Sequence, residues 1–288
     1  MTTNTPRHPK PLAELPGQEL AARVALACAG LNGHRTIGAA LHRTGSAQKV
    51  VADAHDHGTL LPDNLADGIR RLGTGAVVAK VFEITRRNQM TLLTPDDDLW
   101  PIQLSGLGRA EPCILWAAGN PWLLLERPIA ITGNIRPTAQ AQHDTIELAS
   151  KLADAGWTVA AINRPGVDQL ALLAAGVMDG RTITVANEAR TADRTRPERS
   201  LVISENPMGL PAKLGSALRA HMLLGVLAAK VVIVEALDSS GALRTGVVAH
   251  ALDRPLGVTD SDAGGTRRLI TEYGADLVDS LASVERLH

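Results

Sequence analysis

The chain has 288 residues, enough for one large domain or two of ordinary size. Hydrophobic residues make up 45%, charged residues 20%, and 29 Lys and Arg nearly cancel 30 Asp and Glu. This excludes a wholly disordered, collagen-like or histone-like chain. With four Trp, one Tyr and one Phe, the core must be aliphatic and little material remains for stacking bases on rings.

Residues 1–16 read as a proline-containing, charged leader without an apolar signal core. Helical spacing runs from Leu20 to about Ala29. The turn Gly30-Leu31-Asn32-Gly33-His34-Arg35 follows, then a helix over Thr36–Arg43. Gly45-Ser46 opens another helix to about Ala54, and residues 62–88 form a further helical stretch. This outlines a small helical domain over 17–88, of SAM or helix-hairpin-helix type. Its glycine turn either closes a plain hairpin or lets backbone N–H groups approach a phosphate. Residues 1–94 carry 11 Lys and Arg against 7 Asp and Glu, whereas residues 95–288 carry 18 against 23. Any contact with a polyanion is therefore shared by the N-terminal part and local arginine clusters.

Met90–Leu93 is a short apolar run, broken by Thr94-Pro95-Asp96-Asp97-Asp98. The aspartates read as a solvated turn or cap, because no second acidic motif stands at a calcium-loop spacing. From about residue 128 apolar strands alternate with helices. The strands are Ile129–Thr132, Trp157–Ile162, Arg181–Ala186, Leu201–Ser204, Lys230–Ala236 and Leu256–Thr259. Thr138 caps a helix to Ala155, and others span Val167–Ala175, Gly215–Ala229, Ala242–Leu252 and Thr266–Tyr273. The pattern predicts an α/β domain over 89–288, with a parallel sheet covered on both faces.

Such sheets take ligands at the carboxyl ends of their strands, near a topological switch point. The loops to consider are Gly133–Pro137, Asn163–Asp168, Ser204–Gly215 and Leu237–Gly241. No Gly-x-Gly-x-x-Gly follows the first strand and no Gly-Lys-Ser/Thr loop is present, so dehydrogenase and P-loop readings lose their support. No Gly-x-Ser-x-Gly elbow occurs, and Cys28 and Cys113 make neither a disulfide framework nor a metal cluster. The most apolar stretch, Leu223–Ala236, is split by Gly225 and Lys230, so a soluble cytoplasmic protein without a membrane span is expected.

Within the loops, Gly133 permits a tight turn that exposes N–H groups at a helix start. Arg136 and Arg164, the latter beside Gly166, are candidate phosphate partners. Asp168 suits a capping role at a helix start. Arg219 and His221 share a helix near the third loop. Ser240, Gly241 and Thr245 offer hydroxyl and backbone donors to a phosphate, or simply cap the helix. Arg181–Arg199 reads as a mobile surface loop, with five arginines interleaved with acids.

Several motifs in order resemble the DprA/Smf family of DNA-processing proteins, over about Leu20–Val278. They are Leu99-Trp100-Pro101 with Glu111-Pro112, Ile203-Ser204-Glu205-Asn206-Pro207-Met208-Gly209, Val234-Glu235-Ala236 with Ser240-Gly241-Ala242-Leu243-Arg244-Thr245, and Gly274-Ala275. The first loop, Gly133-Asn134-Ile135-Arg136, carries its arginine one position later than the family pattern. The second loop has Asn163-Arg164-Pro165-Gly166-Val167-Asp168 where the family has a serine-glycine start, and Arg219-Ala220-His221 replaces an Arg-Asn-Arg helix start.

The resemblance implies a Rossmann-like extended fold that binds single-stranded DNA without catalysis, cofactor or metal. It implies protection of incoming strands and loading of a RecA-type recombinase in natural transformation, and a homodimer formed through the Rossmann-like domain. The nucleic-acid-binding set would be Gly133, Asn134, Arg136, Arg164, Gly166, Arg219, His221, Ser240, Gly241 and Thr245. Two alternatives stand beside it: a nucleotide-binding sensor or hydrolase on a related scaffold, and an interaction scaffold that has lost DNA binding.

Overall fold

The structure, a computed structural model, describes residues 17–193, 195–210 and 215–288. The predicted leader lies outside the described residues. Five helices open the described chain: α1 (Gly17–Cys28), α2 (Arg35–Thr44), α3 (Ala47–His55), α4 (Asp63–Leu72) and α5 (Gly75–Arg87). Gly45, in a left-handed conformation, ends α2, and the Ser46 side chain caps α3 by accepting from Lys49 N–H. The stretch 62–88 is two helices rather than one. It breaks at Gly73, where a Cβ would crowd the Ala25 and Ile69 carbonyls, and Thr74 caps the second helix.

Nine strands among the described residues form one sheet: β1 (Thr91–Leu93), β2 (Leu115–Gly119), β3 (Ile129–Thr132), β4 (Val159–Ile162), β5 (Thr182–Val185), β6 (Ser200–Ser204), β7 (Lys230–Ile233), β8 (Leu256–Val258) and β9 (Asp276–Leu277). The order is β1-β2-β6-β5-β4-β3-β7-β8-β9. The sheet is mixed rather than wholly parallel, because β2 pairs antiparallel with both β1 and β6. β2 escaped the sequence reading. Its run Leu-Trp-Ala-Ala-Gly follows an irregular segment, not a helix, so the strand–helix alternation did not reveal it.

The remaining helices are α6 (Ala139–Asp154), α7 (Val167–Val177), α8 (Ser216–Leu227), α9 (Gly241–Ala251), α10 (Gly264–Tyr273) and α11 (Leu281–Glu285). The strands read as continuous apolar runs because both faces are buried. Ile129 and Ile131 face a core shared with α6 and α7, while Ala130 faces one shared with α8 and α9. At the other edge Trp116, Ala118 and Val202 join Leu26, Ile37, Ile69 and Val81 in one core. The helical bundle thus packs directly on the sheet.

From β3 the sheet grows outward through β4, β5 and β6, then resumes beyond β3 with β7. The chain leaves β3 for α6 on one face and β7 for α9 on the other. The carboxyl ends of β3 and β7 therefore flank the switch point where such sheets have a crevice.

Candidate nucleic-acid interface

A buried carboxylate holds the crevice between β3 and β7. Glu235 is 5% exposed and has φ 85, an uncommon conformation for a residue with a side chain. Its Oε1 accepts from Asn134 Nδ2 at 2.6 Å, and its Oε2 accepts from the Thr138 hydroxyl at 2.6 Å and the Thr138 N–H at 3.2 Å. Asn134 Oδ1 in turn accepts from Leu237 N–H at 3.1 Å. Asn134 is therefore an internal bracket between the two loops, and Glu235 takes a place at the start of α6 that an anion would otherwise fill. Gly133 is here for space: a Cβ would press on Val167 Cγ2 at 2.6 Å.

The second loop turns its cation inward. Arg164 Nε donates to Asp168 Oδ2 at 2.8 Å, and its Nη2 donates to the Gly133 carbonyl. Asp168 is not the simple helix cap its position suggested. Gly166 is the cap residue of α7, and Asp168 is wholly buried, accepting also from Ile162 N–H at 3.0 Å. Burial pushes its carboxyl upward, opposed by the Arg164 guanidinium and these N–H groups. Gly166 has φ 87, and a Cβ there would overlap the Asn134 carbonyl oxygen, so the first two loops interlock at backbone distance.

Arg219 is likewise held inside. Its Nε donates to Glu205 Oε2 at 2.8 Å, its Nη2 pairs with Glu205 Oε1, and Nη2 also donates to the Ala110 carbonyl at 3.0 Å. Burial pushes the Glu205 carboxyl upward, and Arg219 opposes this. The glycine turn of the helical bundle docks on this pair. Asn32 Nδ2 donates to the Glu205 and Ile114 carbonyls at 2.7 and 2.8 Å, and Asn32 Oδ1 accepts from Cys113 N–H at 2.8 Å. A Cβ on Gly33 would overlap the Arg219 guanidinium, so the turn packs directly on this arginine. Residues 211–214 of the third loop lie outside the described residues.

His221, Thr245, Gly241 and Ser240 do come together. His221 is 3% exposed, and its Nδ1 lies 2.9 Å from Thr245 Oγ1. Burial, with the nearby charges of Arg164 and Arg244, pushes the imidazole down to about 3, so it is neutral at physiological pH. The ring lies against Gly241, where a Cβ would overlap it. Ser240 caps α9 by accepting from Leu243 N–H.

Arg136, Arg190 and Arg244, which follow strands or open a helix at this edge of the sheet, are turned to solvent. Arg136 follows β3, Arg190 follows β5, and Arg244 stands in the first turn of α9 after β7. All three are exposed, and none makes a hydrogen bond or ion pair with a described residue. Of these, the sequence reading placed only Arg136 in the binding set. Arg244 was within the quoted motif, three residues after Gly241. The Arg181–Arg199 stretch opens with β5, and at its two ends Arg181, Arg196 and Arg199 donate to the Gly156, Gly180 and Asp179 carbonyls.

Comparison with known proteins agrees with this architecture. The family model described as DNA recombination-mediator protein A matches residues 91–287. A Mycobacterium tuberculosis (strain H37Rv) relative, assigned as a DNA processing protein DprA, is 33% identical over 225 residues, covering 68% of this chain and 57% of its own length. The DNA processing protein DprA of Bacillus subtilis (strain 168) is 27% identical over 189 residues, 60% of this chain and 63% of that protein. The chain thus spans somewhat over half the length of these relatives. The X-ray structure of DNA processing protein A from Streptococcus pneumoniae superposes with a TM-score of 0.74 at 21% identity, covering 92% of this chain and 96% of that one. DNA processing protein A from Helicobacter pylori, a structure solved for its single-stranded DNA binding mode, gives a TM-score of 0.58 at 22% identity, covering 69% and 98%. At these identities the likeness to the two structures is one of fold. The family model and the mycobacterial relative carry the assignment further: the chain belongs to the DNA recombination-mediator protein A family.

Proposed function

We propose that this protein binds single-stranded DNA along the carboxyl edge of its sheet, holding the backbone with Arg136, Arg190 and Arg244. The observation that carries this is the division among the arginines. Arg164 and Arg219 are committed to buried Asp168 and Glu205, while Arg136, Arg190 and Arg244 face solvent without a partner among the described residues. The single-stranded DNA binding of the Helicobacter pylori homologue supports the choice of ligand. Neutral His221 and the buried carboxylates lie beneath this surface and shape it. With so few aromatic side chains, attachment rests on phosphate contacts and is largely blind to sequence.

In this reading the protein works by binding rather than catalysis. It protects single strands and assists a RecA-type recombinase, and two copies pair through the sheet domain. The test is fluorescence anisotropy with an unstructured oligonucleotide over a series of salt concentrations. Log affinity should fall with log salt by about 0.7 per phosphate neutralised. Absence of binding at low salt sinks the proposal. Sedimentation at several concentrations, and strand exchange with a recombinase present, test the pairing and loading parts separately. The enclosure of Arg164 and Arg219 also favours a second reading, an interaction scaffold without DNA binding, and the same salt series decides between them.

A further inference from the structure

A second cleft lies on the β1–β2 side of the sheet, where α2 and the start of α3 face the irregular segment between β1 and β2. Its volume is about 280 Å³, and its walls include Arg23, Leu41, His42, Pro95, Arg109 and Pro112. Two glycines shape it. Gly38 brings the backbone of α2 so near that a Cβ would overlap the Arg109 carbonyl oxygen. Gly108 interrupts the 3-10 segment Ile102–Ala110 with φ 55 and ψ −125, a conformation open essentially to glycine, directly before Arg109.

The charges on these walls are unequally committed. Arg23 donates to the Cys113 carbonyl at 2.9 Å and pairs with Glu19 at 3.2 Å and Asp96 at 3.5 Å. Arg109 and His42 are exposed and bond to no described residue. Glu111 is the one acid on the wall, and its Oε1 accepts from Trp100 Nε1 at 2.9 Å. An unpaired guanidinium matches the oxygens of a phosphate in a fork geometry. Leucine and proline walls suit a sugar and base. The volume is near the small end of ligand pockets, which run from about 300 Å³ upward, and so fits one nucleotide rather than two.

We propose that this cleft binds a nucleoside phosphomonoester, with Arg109 and His42 on the phosphate and Leu41, Pro95 and Pro112 against the nucleoside. Two sources share this chemistry: a free mononucleotide, and the 5′-phosphorylated end of a strand. The site is separate from Arg136, Arg190 and Arg244, and stands whether or not those residues bind DNA.

The test is calorimetric titration of the full chain with thymidine monophosphate, and with thymidine as the control lacking phosphate. The monophosphate should bind and thymidine should not. H42A/R109A should weaken the monophosphate by about tenfold or more. R136A/R190A/R244A should leave it unchanged. Both variants alter exposed side chains and should fold, which their thermal transitions check. Displacement of the monophosphate by a 5′-phosphorylated oligonucleotide, but not by its 5′-hydroxyl form, would support a strand end as the source. Displacement by neither would support the free nucleotide. No binding of the monophosphate at millimolar concentration, equal binding of thymidine, or unchanged affinity in H42A/R109A would overturn the proposal.

Discussion

Arg219 occupies the space that a side chain on Gly33 would need: a Cβ built there would overlap its guanidinium. Gly33 also has φ 70, where residues other than glycine are strained. One arginine therefore pairs with the buried Glu205 and sets how closely the helical bundle docks on the sheet. Gly33→Ala is expected to lower stability by about 1–3 kcal/mol, from combined strain and displacement of Arg219. Asn32→Ala, which leaves Cys113 N–H and two carbonyls without their partner, should cost a similar amount. Urea denaturation measures both. A loss below half a kcal/mol in each would mean the turn does not fix the docking.

The neutral His221 makes stability depend on pH in a definite direction. Its folded value is about 3, below the 6.5 of a free imidazole. Below pH 6.5 the unfolded chain binds a proton at this position and the folded chain does not, so folding is weakened as pH falls toward 3. The slope from this residue approaches about 1.4 kcal/mol per pH unit. Above pH 6.5 both states are neutral here and the contribution is flat. His221→Asn should remove this part of the dependence between pH 6 and 4, whatever it does to stability at pH 7. Parallel pH profiles for the two proteins would refute the assignment.

Arginines that hold the structure and arginines that face solvent should separate cleanly by experiment. Asp168→Ala leaves Arg164 without its carboxylate partner and should cost about 3–5 kcal/mol. Arg136→Ala, Arg190→Ala and Arg244→Ala should each change stability by less than about 0.5 kcal/mol. The triple substitution should flatten the salt dependence of single-stranded DNA binding by about two units, at roughly 0.7 per lost phosphate contact. An unchanged slope would place the DNA elsewhere on the molecule.

Glu235 is the keystone of the crevice between β3 and β7. Glu235→Ala would leave Asn134 Nδ2 and both donors of Thr138 without their acceptor. Hydrogen bonds to a charged group contribute about 1.5–3 kcal/mol each, and the three share one carboxylate, so a loss of about 3 kcal/mol is expected. Glu235→Gln keeps an acceptor and should cost clearly less. Equal losses in the two variants would show that packing, rather than the network, gives Glu235 its role.

The sequence was informative about strands, caps and order. Thr138 and Ser240 are the caps of α6 and α9, and the apolar runs at Ile129–Thr132 and Lys230–Ile233 are central strands. These features depend on neighbours along the chain, and hydrophobic period and capping chemistry report such neighbours directly. β2 was missed because its place comes from antiparallel pairing with β6, 80 or so residues away, which no local period encodes.

The candidate site divides in the same way. Sequence motifs tied the chain to one family, and the loops after the strands singled out Gly133, Arg164, Arg219 and the Ser240-Gly241 turn as candidates, the first three in segments that depart from the family pattern. They could not say where a guanidinium points. Arg136 and Arg164 look alike as letters, yet one faces solvent and the other lies on Asp168. That difference comes from the fold: a carboxylate buried at a strand end needs a cation or several hydrogen-bond donors close by, and Asp168 takes Arg164 where Glu235 takes Asn134 and Thr138. The near-zero net charge divides in the same way. It was set by composition, but the tertiary structure decided which charges cancel inside the protein and which stay exposed to solvent.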